Sequence, residues 1–334
     1  GLGDVYKRQA LATRAERYNK CIAELMELKA EGKVFVFTPK TTFGVGRTEG
    51  DPAKLRRLYD YGYAHAKWAM DDLKKYLCIS NRQLRVNEYE LKVSKLPENF
   101  VGKKILLLAD LHKKRYGDNF NNLVNSCIAA EPDFIFFAGD LYSRDETDMI
   151  PKLALMKRLK HIAPTYYIFG NHETDNMDNA EALALKLTEC GVHVLRNNME
   201  QIKIGEDHIN IYGTQLPQRF YRNEDFSHHD LPQITKDELT KLLGEPDRSE
   251  CNFLLSHTPL AFRAYADWGA DVTFSGHCHG GVIRLPFIGG ILSPERKFFP
   301  RYTKGIYELN AEQGLAKLAV TAGLGKFRLN NPSE

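Results

Sequence analysis

The spacing of apolar positions changes character near residues 78–84. Before that point it is helical. Cys21, Ile22, Leu25, Met26 and Leu28 form a stripe that predicts a helix over residues 10–33, with Gly32 as its stop. Leu58, Tyr61, Ala69 and Leu73 predict a second helix over 55–77. Between them, residues 34–37 read as a short strand-like run ended by Thr38-Pro39, and residues 44–52 as turns. After the change, residues 86–93 alternate apolar and polar side chains, as a half-buried strand does. Continuous apolar runs follow at 105–109, 134–138 and 166–169, separated by helical patterns at 119–130, 147–161 and 179–190. Strand alternating with helix predicts parallel strands joined by crossovers. Residues 192–195, 201–204 and 208–212 read as a meander, and strands at 253–256, 272–275, 282–285, 306–309 and 318–321 complete a second half. The economical architecture is α/β, with two sheets face to face and helices outside.

Composition narrows the function classes. The chain has 334 residues, 43% hydrophobic and 27% charged, which suits a core-forming globular protein. Lys and Arg number 46 against 43 Asp and Glu, and no dense basic run stands out, so a nucleic-acid partner is not expected. No stretch approaches the roughly 18 apolar residues of a membrane span. The cysteines show no C-x-x-C spacing; Cys127, Cys190 and Cys251 lie in apolar segments and read as reduced, which favours a cytoplasmic location or one peripheral at the membrane. The run Asp4-Val5-Tyr6-Lys7-Arg8-Gln9 looks like a translated sequencing adapter, so residues 1–9 are expected to be an artefact and the natural N-terminus to be missing.

Candidate chemistry gathers at strand ends. Asp110, His112, Asp140, Asn171, His257, His277 and His279 each fall just beyond a predicted strand. All offer oxygen or imidazole nitrogen and none a thiol, which suits a hydrolytic metal centre better than a structural zinc knot. Asp110 and His112 are i and i+2, as are His277 and His279, so each pair is expected to point one way from its strand end. Asp140 follows Gly139, where a backbone can approach closely, and its carboxylate can reach two ions. Cys278 should face the other way as a packed thiol, and His193, His208, His228 and His229 read as surface or structural.

These segments stand as Asp110/His112, Gly139-Asp140, Gly170-Asn171-His172-Glu173, His257 and Gly276-His277-Cys278-His279, and the chain from about residue 85 to 334 thereby resembles the calcineurin-like metallophosphoesterases. The resemblance implies a four-layer αββα sandwich of two mixed sheets. It implies two divalent metal ions, with Mn, Zn or Fe suited to the mixed N/O donors. Asp110, His112 and His279 would hold one, Asn171, His257 and His277 the other, with Asp140 between them. A metal-bridging hydroxide would attack phosphorus. His172 would act on the leaving-group oxygen without binding metal. Glu173 would either orient a histidine or stand as a solvated carboxylate, and Lys113-Lys114-Arg115 would either attract an anionic substrate or form a plain solvated charge run.

Two further resemblances bear on substrate. Gly280-Gly281-Val282-Ile283-Arg284-Leu285-Pro286, Phe298-Phe299-Pro300-Arg301-Tyr302 and Gly323-Leu324-Gly325 with Arg328 are similar to an envelope-associated bacterial branch, some of whose members act on lipid-linked phosphoesters or pyrophosphates. Relatives there often carry a membrane anchor; a polar helix stands at its place here. Residues 14–77, through Arg17-Tyr18-Asn19, Gly32-Lys33-Val34-Phe35-Val36, Gly46-Arg47 and Leu58-Tyr59-Asp60-Tyr61-Gly62, resemble the C-terminal tail of patatin-like phospholipases. The expected organisation is a helical segment over 10–80 and a phosphoesterase domain over 85–334. The competing readings are a fragment of a phospholipase–phosphoesterase fusion acting in lipid metabolism and a non-catalytic binding module. Retention of all the metal-binding positions weighs against the latter. Residues 214–250, with Arg219, Tyr221 and Arg222, are expected to form a specificity lid.

Overall fold

The computed structural model describes residues 14–325, apart from 32–33, 38–39, 47, 81–83, 176, 226, 229, 282, 286–288, 293, 295–297 and 313. The expected artefact at 1–9, together with Gly32-Lys33, Thr38-Pro39, Arg47, His229, Val282, Pro286 and Arg328, lies outside the described residues. The chain divides into two compact units, Gly1–Gln83 and Leu84–Glu334. The first holds α1 (Arg14–Ala30) and α2 (Pro52–Ser80). Pro52 opens α2, and Asp51 Oδ1 accepts the Ala53 N–H at 2.9 Å, which satisfies one of the orphan donors of the first turn. Residues 34–37 form no strand; Phe35 and Phe37 pack edge-on at 4.9 Å instead. No helix among the described residues is long and apolar enough to cross a membrane.

The second unit is built on two sheets. One contains β1 (Ile105–Leu108), β2 (Phe134–Phe137), β3 (Thr165–Ile168) and β4 (His193–Leu195) in that order, every pair parallel. Around it stand α3 (Asn121–Ala129), α4 (Ile150–Ile162), the single turn α5 (Asn171–Thr174) and α6 (Met177–Glu189). The other sheet has the order β11-β12-β8-β7-β6-β5, from β5 (Asn198–Ile204), β6 (Asp207–Gly213), β7 (Asn252–Leu255), β8 (Val272–Ser275), β11 (Gly305–Ala311) and β12 (Gly314–Val320). It is mixed: β6, β7, β8 and β12 run parallel, and the edge strands pair antiparallel. Helices α7 (Lys236–Leu243) and α8 (Phe262–Trp268) belong to this half, and β9 (Ile283–Leu285) and β10 (Gly289–Leu292) form a separate hairpin.

Strand alternation explains the layering. In β2, Phe134 and Phe136 face a core shared with Phe253, Leu255, Val272 and Phe274 of the other sheet, while Ile135 and Phe137 face Leu123, Leu155 and Leu187 of the helices. On the far side Tyr212 and Leu254 meet Leu239, Tyr265 and Trp268, and Leu318 and Val320 meet Phe262. The result is the expected αββα sandwich. Three details differ from the expectation. The first sheet is parallel throughout rather than mixed. Residues 192–195 do not join a meander; β4 pairs with β3, because the α6 crossover returns the chain to the first sheet. Residues 84–93 run without regular structure, and Leu91 and Val93 pack against the inter-sheet core. Alternation requires one apolar face, and here only Leu91 and Val93 of it are partly buried, with no ladder partner, while Val86 and Tyr89 are exposed.

Candidate metal centre

Every expected metal-binding residue leaves the carboxyl end of a parallel strand, the position where open α/β sheets collect function. Asp110 and His112 follow β1, Asp140 follows β2, Asn171 follows β3, His257 follows β7, and His277 and His279 follow β8. Ladder bonds continue past the strand ends and fix these loops to one another. Asp110 N–H donates to Gly139 O at 2.9 Å, His112 N–H to Asp140 O at 3.2 Å, and Gly276 N–H to His257 O at 3.0 Å. The side chains do not converge by strand alternation, as the i, i+2 spacing suggested. Asp110, His112, Asp140, His277 and His279 all adopt left-handed backbone, with φ of 55°, 47°, 54°, 66° and 49°. Such conformations cost about 1–3 kcal/mol each and persist where the surroundings over-determine them. The ladder bonds above are part of that constraint.

The donor atoms form one buried cluster. Asp110, His112 and His279 each place a ligand atom within 4.8 Å of the others, as do Asp110, Asp140 and His257. The Nε2 atoms of His112 and His279 face each other at 3.4 Å. Around His257 Nε2 lie His277 Nδ1 at 3.2 Å, Asn171 Oδ1 at 3.2 Å and Asp140 Oδ2 at 3.3 Å. Asp140 Oδ2 is also 3.6 Å from His112 Nε2, so one carboxylate oxygen stands between the two groups of imidazoles. His172 is close by, with Nε2 4.0 Å from Asp140 Oδ2. The structure therefore brings all eight sequence-derived site residues to one place.

This cluster calls for positive charge. Asp110, Asp140 and His257 are buried. Burial opposes ionisation of Asp140, yet His257 and His172 hold it well below the usual carboxylate range. Burial raises Asp110 to about 7. Burial also disfavours charge on His257, but the adjacent Asp140 and Asp110 overcome it and lift the imidazole to about 10. Burial drives His112 down to about 4 and holds His279 well below the usual imidazole range, so both present neutral rings. A proton on His257 thus occupies ground where a cation satisfies several lone pairs at once. Its Nδ1 lies 2.6 Å from Ala138 O, where it donates as Nδ1–H, leaving Nε2 turned into the cluster as a metal-binding atom must be. Mixed imidazole, carboxylate and amide donors suit Mn, Zn or Fe, so the residues present fit such ions.

Glu173 overturns both readings of it. It is buried, and the hydrogen bonds it accepts come from backbone N–H groups and not from a histidine ring. Its carboxylate accepts N–H groups from Asp140 at 2.9 Å, Tyr142 at 3.0 Å and Gly170 at 2.8 Å, so it clamps the β2 and β3 loops together. At Gly170 a Cβ would stand 2.1 Å from Asp140 Oδ1, which explains the absence of a side chain there. The Gly323-Leu324-Gly325 run, a family resemblance in sequence, becomes a strap: Leu324 N–H donates to Ala109 O at 2.9 Å and Gly325 N–H to Asp110 O at 2.5 Å. It links the end of β12 to the loop after β1, across the two sheets. A Cβ on Gly325 would lie 2.6 Å from Asp110 O and 3.0 Å from His112 Cδ2. Gly325→Ala is expected to displace that loop and weaken metal binding by about 10–100-fold, the usual cost of disturbing groups that orient ligands, measured by calorimetric titration.

The rim differs from the expected lid. Tyr221 is buried, its ring 5.3 Å from His277 and 6.0 Å from His257, and serves as a wall. Arg222 donates to Asp175 Oδ1 at 2.8 Å, and Asp175 Oδ2 also pairs with Arg144 at 3.0 Å. Arg219 turns away to Glu238 at 3.3 Å. Arg144 holds the site by its backbone, whose N–H donates to His172 Nδ1 at 3.2 Å. That bond gives no side-chain signal in sequence. It leaves the ring proton on Nε2, facing the cluster, and burial lowers the His172 pKa so that the ring stays neutral. Cys278 is buried as expected. His193 and His208 pair with Glu200 at 2.7 Å and Glu250 at 3.3 Å, and His228 lies 2.9 Å from Tyr221 O, all outside the cluster.

Comparison with known proteins agrees with this geometry. The model of a family described as calcineurin-like phosphoesterase matches residues 103–281, and that of a domain of unknown function (DUF6363) matches residues 8–78. The uncharacterized metallophosphoesterase YkuE of Bacillus subtilis is 27% identical over 272 residues, covering 80% of this chain and 84% of that protein. The phosphodiesterase YaeI of Escherichia coli is 28% identical over 239 residues, covering 68% and 78%. A transmembrane protein with metallophosphoesterase domain from Bos taurus is 27% identical over 213 residues, and the chain spans 45% of its length. With its strand-end cluster and a family match over more than half its length, the chain belongs to the calcineurin-like phosphoesterase family.

Proposed function

We propose that the protein hydrolyses phosphoesters with two divalent ions, Mn, Zn or Fe, held at this cluster. The observation that carries the reading is the position of Asp140 Oδ2, 3.6 Å from His112 Nε2 and 3.3 Å from His257 Nε2. Asp110, His112 and His279 would hold one ion and Asn171, His257 and His277 the other, with Asp140 shared between them. Bound there, such ions polarise a phosphoryl group and supply a nucleophile at neutral pH. The chain's residues do the rest. The loops after β1, β2 and β8 hold the donors in left-handed backbone, and Glu173 keeps the Asp140 loop against β3. His172, whose Nε2 lies 4.0 Å from Asp140 Oδ2 at the cluster, would donate its Nε2 proton to the leaving-group oxygen as the ester bond breaks. His172→Ala is expected to lower turnover by about 10²–10⁴-fold, the range of a lost acid–base group, with metal content still near two per chain in plasma emission spectroscopy. Loss of both ions from that variant would contradict the role.

The substrate reading rests on sequence resemblance. The Gly280–Pro286 and Phe298–Tyr302 motifs and Gly323-Leu324-Gly325 with Arg328 favour a lipid-linked phosphoester or pyrophosphate. Residues 10–80, as a segment similar to a patatin-like phospholipase tail, favour a fusion acting in lipid metabolism, with 85–334 as its phosphoesterase domain and a cytoplasmic or peripheral membrane location. A G-x-S-x-G segment encoded upstream in the parent gene is expected; its absence would remove the fusion reading. The catalytic reading is tested by turnover of p-nitrophenyl phosphate, bis-p-nitrophenyl phosphate and a nucleotide-linked lipid with Mn²⁺ or Zn²⁺. Metal-dependent product release is the expected result, and none with any of them would refute it.

A further inference from the structure

Two arginines from separate loops meet on one buried carboxylate at the rim of the cluster. Arg222 donates to Asp175 Oδ1 at 2.8 Å, and Arg144 pairs with Oδ2 at 3.0 Å. The Asp175 side chain is 6% exposed, against 42% for Arg144. A carboxylate so far from water needs such partners. Their attraction is largely offset by the cost of taking the charges out of water, so what such a pair can fix is geometry more than stability. Asp175 is itself held at the end of α5, where its N–H donates to Asn171 O at 3.2 Å.

That geometry closes on His172. His172 lies three positions before Asp175 on the same turn, and its Nδ1 accepts the Arg144 N–H at 3.2 Å. The chain thus forms a small ring: His172 to the Arg144 backbone, the Arg144 side chain to Asp175, and Asp175 back to His172 through the turn. Among the described residues, that N–H makes the one hydrogen bond to the His172 ring. Either nitrogen of a neutral imidazole can carry the proton, and the bond made at one decides what the other presents. Arg144 sits in a turn outside any helix or strand, so no ladder fixes its N–H. Its guanidinium on Asp175 does. Arg222 extends the ring to the segment after β6, whose Tyr221 walls His277, and the Thr174 hydroxyl ties the same two segments through Gln218 Oε1 at 3.1 Å.

We propose that Asp175 is a positioning residue: through Arg144 it holds the backbone donor that keeps the His172 proton on Nε2 and the ring turned to the cluster. The inference rests on the reading of His172 as proton donor to the leaving group and adds the residue that keeps it in that state.

The test compares four metal-loaded full-length proteins: wild type, Asp175→Asn, His172→Ala and the double variant, with p-nitrophenyl phosphate as substrate. Asp175→Asn is expected to lower kcat by about tenfold or more, the effect of a misplaced catalytic group, with KM shifted by about twofold at most and metal content near two per chain. In the His172→Ala background the same substitution should change kcat by about twofold at most, because residues that act as a unit are not additive. Arg144→Met keeps the backbone N–H and removes only the ion pair, at a position exposed enough to fold even where Asp175→Asn does not; it should show the same His172-dependent loss. A second readout is independent of turnover. Long-range ¹H–¹⁵N NMR spectra of the zinc-loaded protein, with the His172 signals identified by their loss in His172→Ala, should place the proton on Nε2 in wild type and show both tautomers in Asp175→Asn and Arg144→Met. Equal kcat losses in both backgrounds, no loss from either variant, loss of metal, or an unchanged tautomer overturns the proposal. A rise in KM alone in Arg144→Met also overturns it, since the guanidinium would then hold substrate. If wild type turns nothing over, the metallohydrolase reading fails, and the tautomer alone decides whether Asp175 positions His172.

Discussion

Asp140→Asn is expected to remove both metal ions and to lower phosphoester turnover by about 10³-fold or more, equivalent to at least ~4 kcal/mol of transition-state stabilisation. The substitution keeps the shape of the side chain. It also keeps an oxygen to accept the His172 N–H, which Asp140 Oδ1 now does at 3.0 Å. What it removes is the charge between His112 and His257, and an amide NH₂ placed at Oδ2 would point a donor at both imidazoles. Asp140 is the one carboxylate of the cluster that its neighbours hold well below the usual range, so its negative charge is the stable feature that attracts cations there. Asn171→Ala offers the contrast. Asn171 stands with His257 and His277 and not with His112, and its loss should leave near one ion per chain. Plasma emission spectroscopy on purified protein, with circular dichroism to confirm the fold, separates these outcomes. Two ions retained in the Asp140 variant would show that it does not bridge.

Glu173→Ala should cost more stability than any other single change near the site. Three backbone N–H groups, of Asp140, Tyr142 and Gly170, lose their acceptor. The carboxylate that accepts them is buried, with its basicity raised to about 7 by burial and by Asp140. A buried donor left unsatisfied costs about 1–3 kcal/mol, so the loss should be roughly 3 kcal/mol or more. For a domain of this size that lowers Tm by about 10 °C. Metal affinity should fall with it, because the Asp140 and Gly170 loops are no longer tied. Glu173→Gln retains one acceptor oxygen and should fall between the two. A Tm and metal content equal to wild type in Glu173→Ala, by calorimetry and emission spectroscopy, would show that the clamp carries no load.

These residues also mark how far the sequence could be read. The donors were legible because each follows an apolar run that ends abruptly, and the αββα layering because buried strands and amphipathic helices alternate. Their convergence was expected for the wrong reason. Strand periodicity says nothing about the left-handed turns that aim Asp110, His112, Asp140, His277 and His279. Glu173 read either as a histidine partner or as a solvated carboxylate, because a lone carboxylate carries no mark of three backbone donors. Residues 86–93 looked like a strand because an unpaired segment that sets Leu91 and Val93 against the core has the same alternation as a paired one. Arg219, Tyr221 and Arg222 sit in one short stretch, yet one turns to Glu238, one forms a wall on His277 and one reaches Asp175. Those differences arise from tertiary contacts with no local pattern.

The central claim is that two ions at this cluster drive hydrolysis. Metal-stripped protein titrated with Mn²⁺, with bound metal and bis-p-nitrophenyl phosphate turnover read in the same samples, tests it most directly. The account predicts that binding saturates near two ions per chain and that turnover rises with the second. Saturation at one ion or none, or full occupancy without turnover, would contradict it.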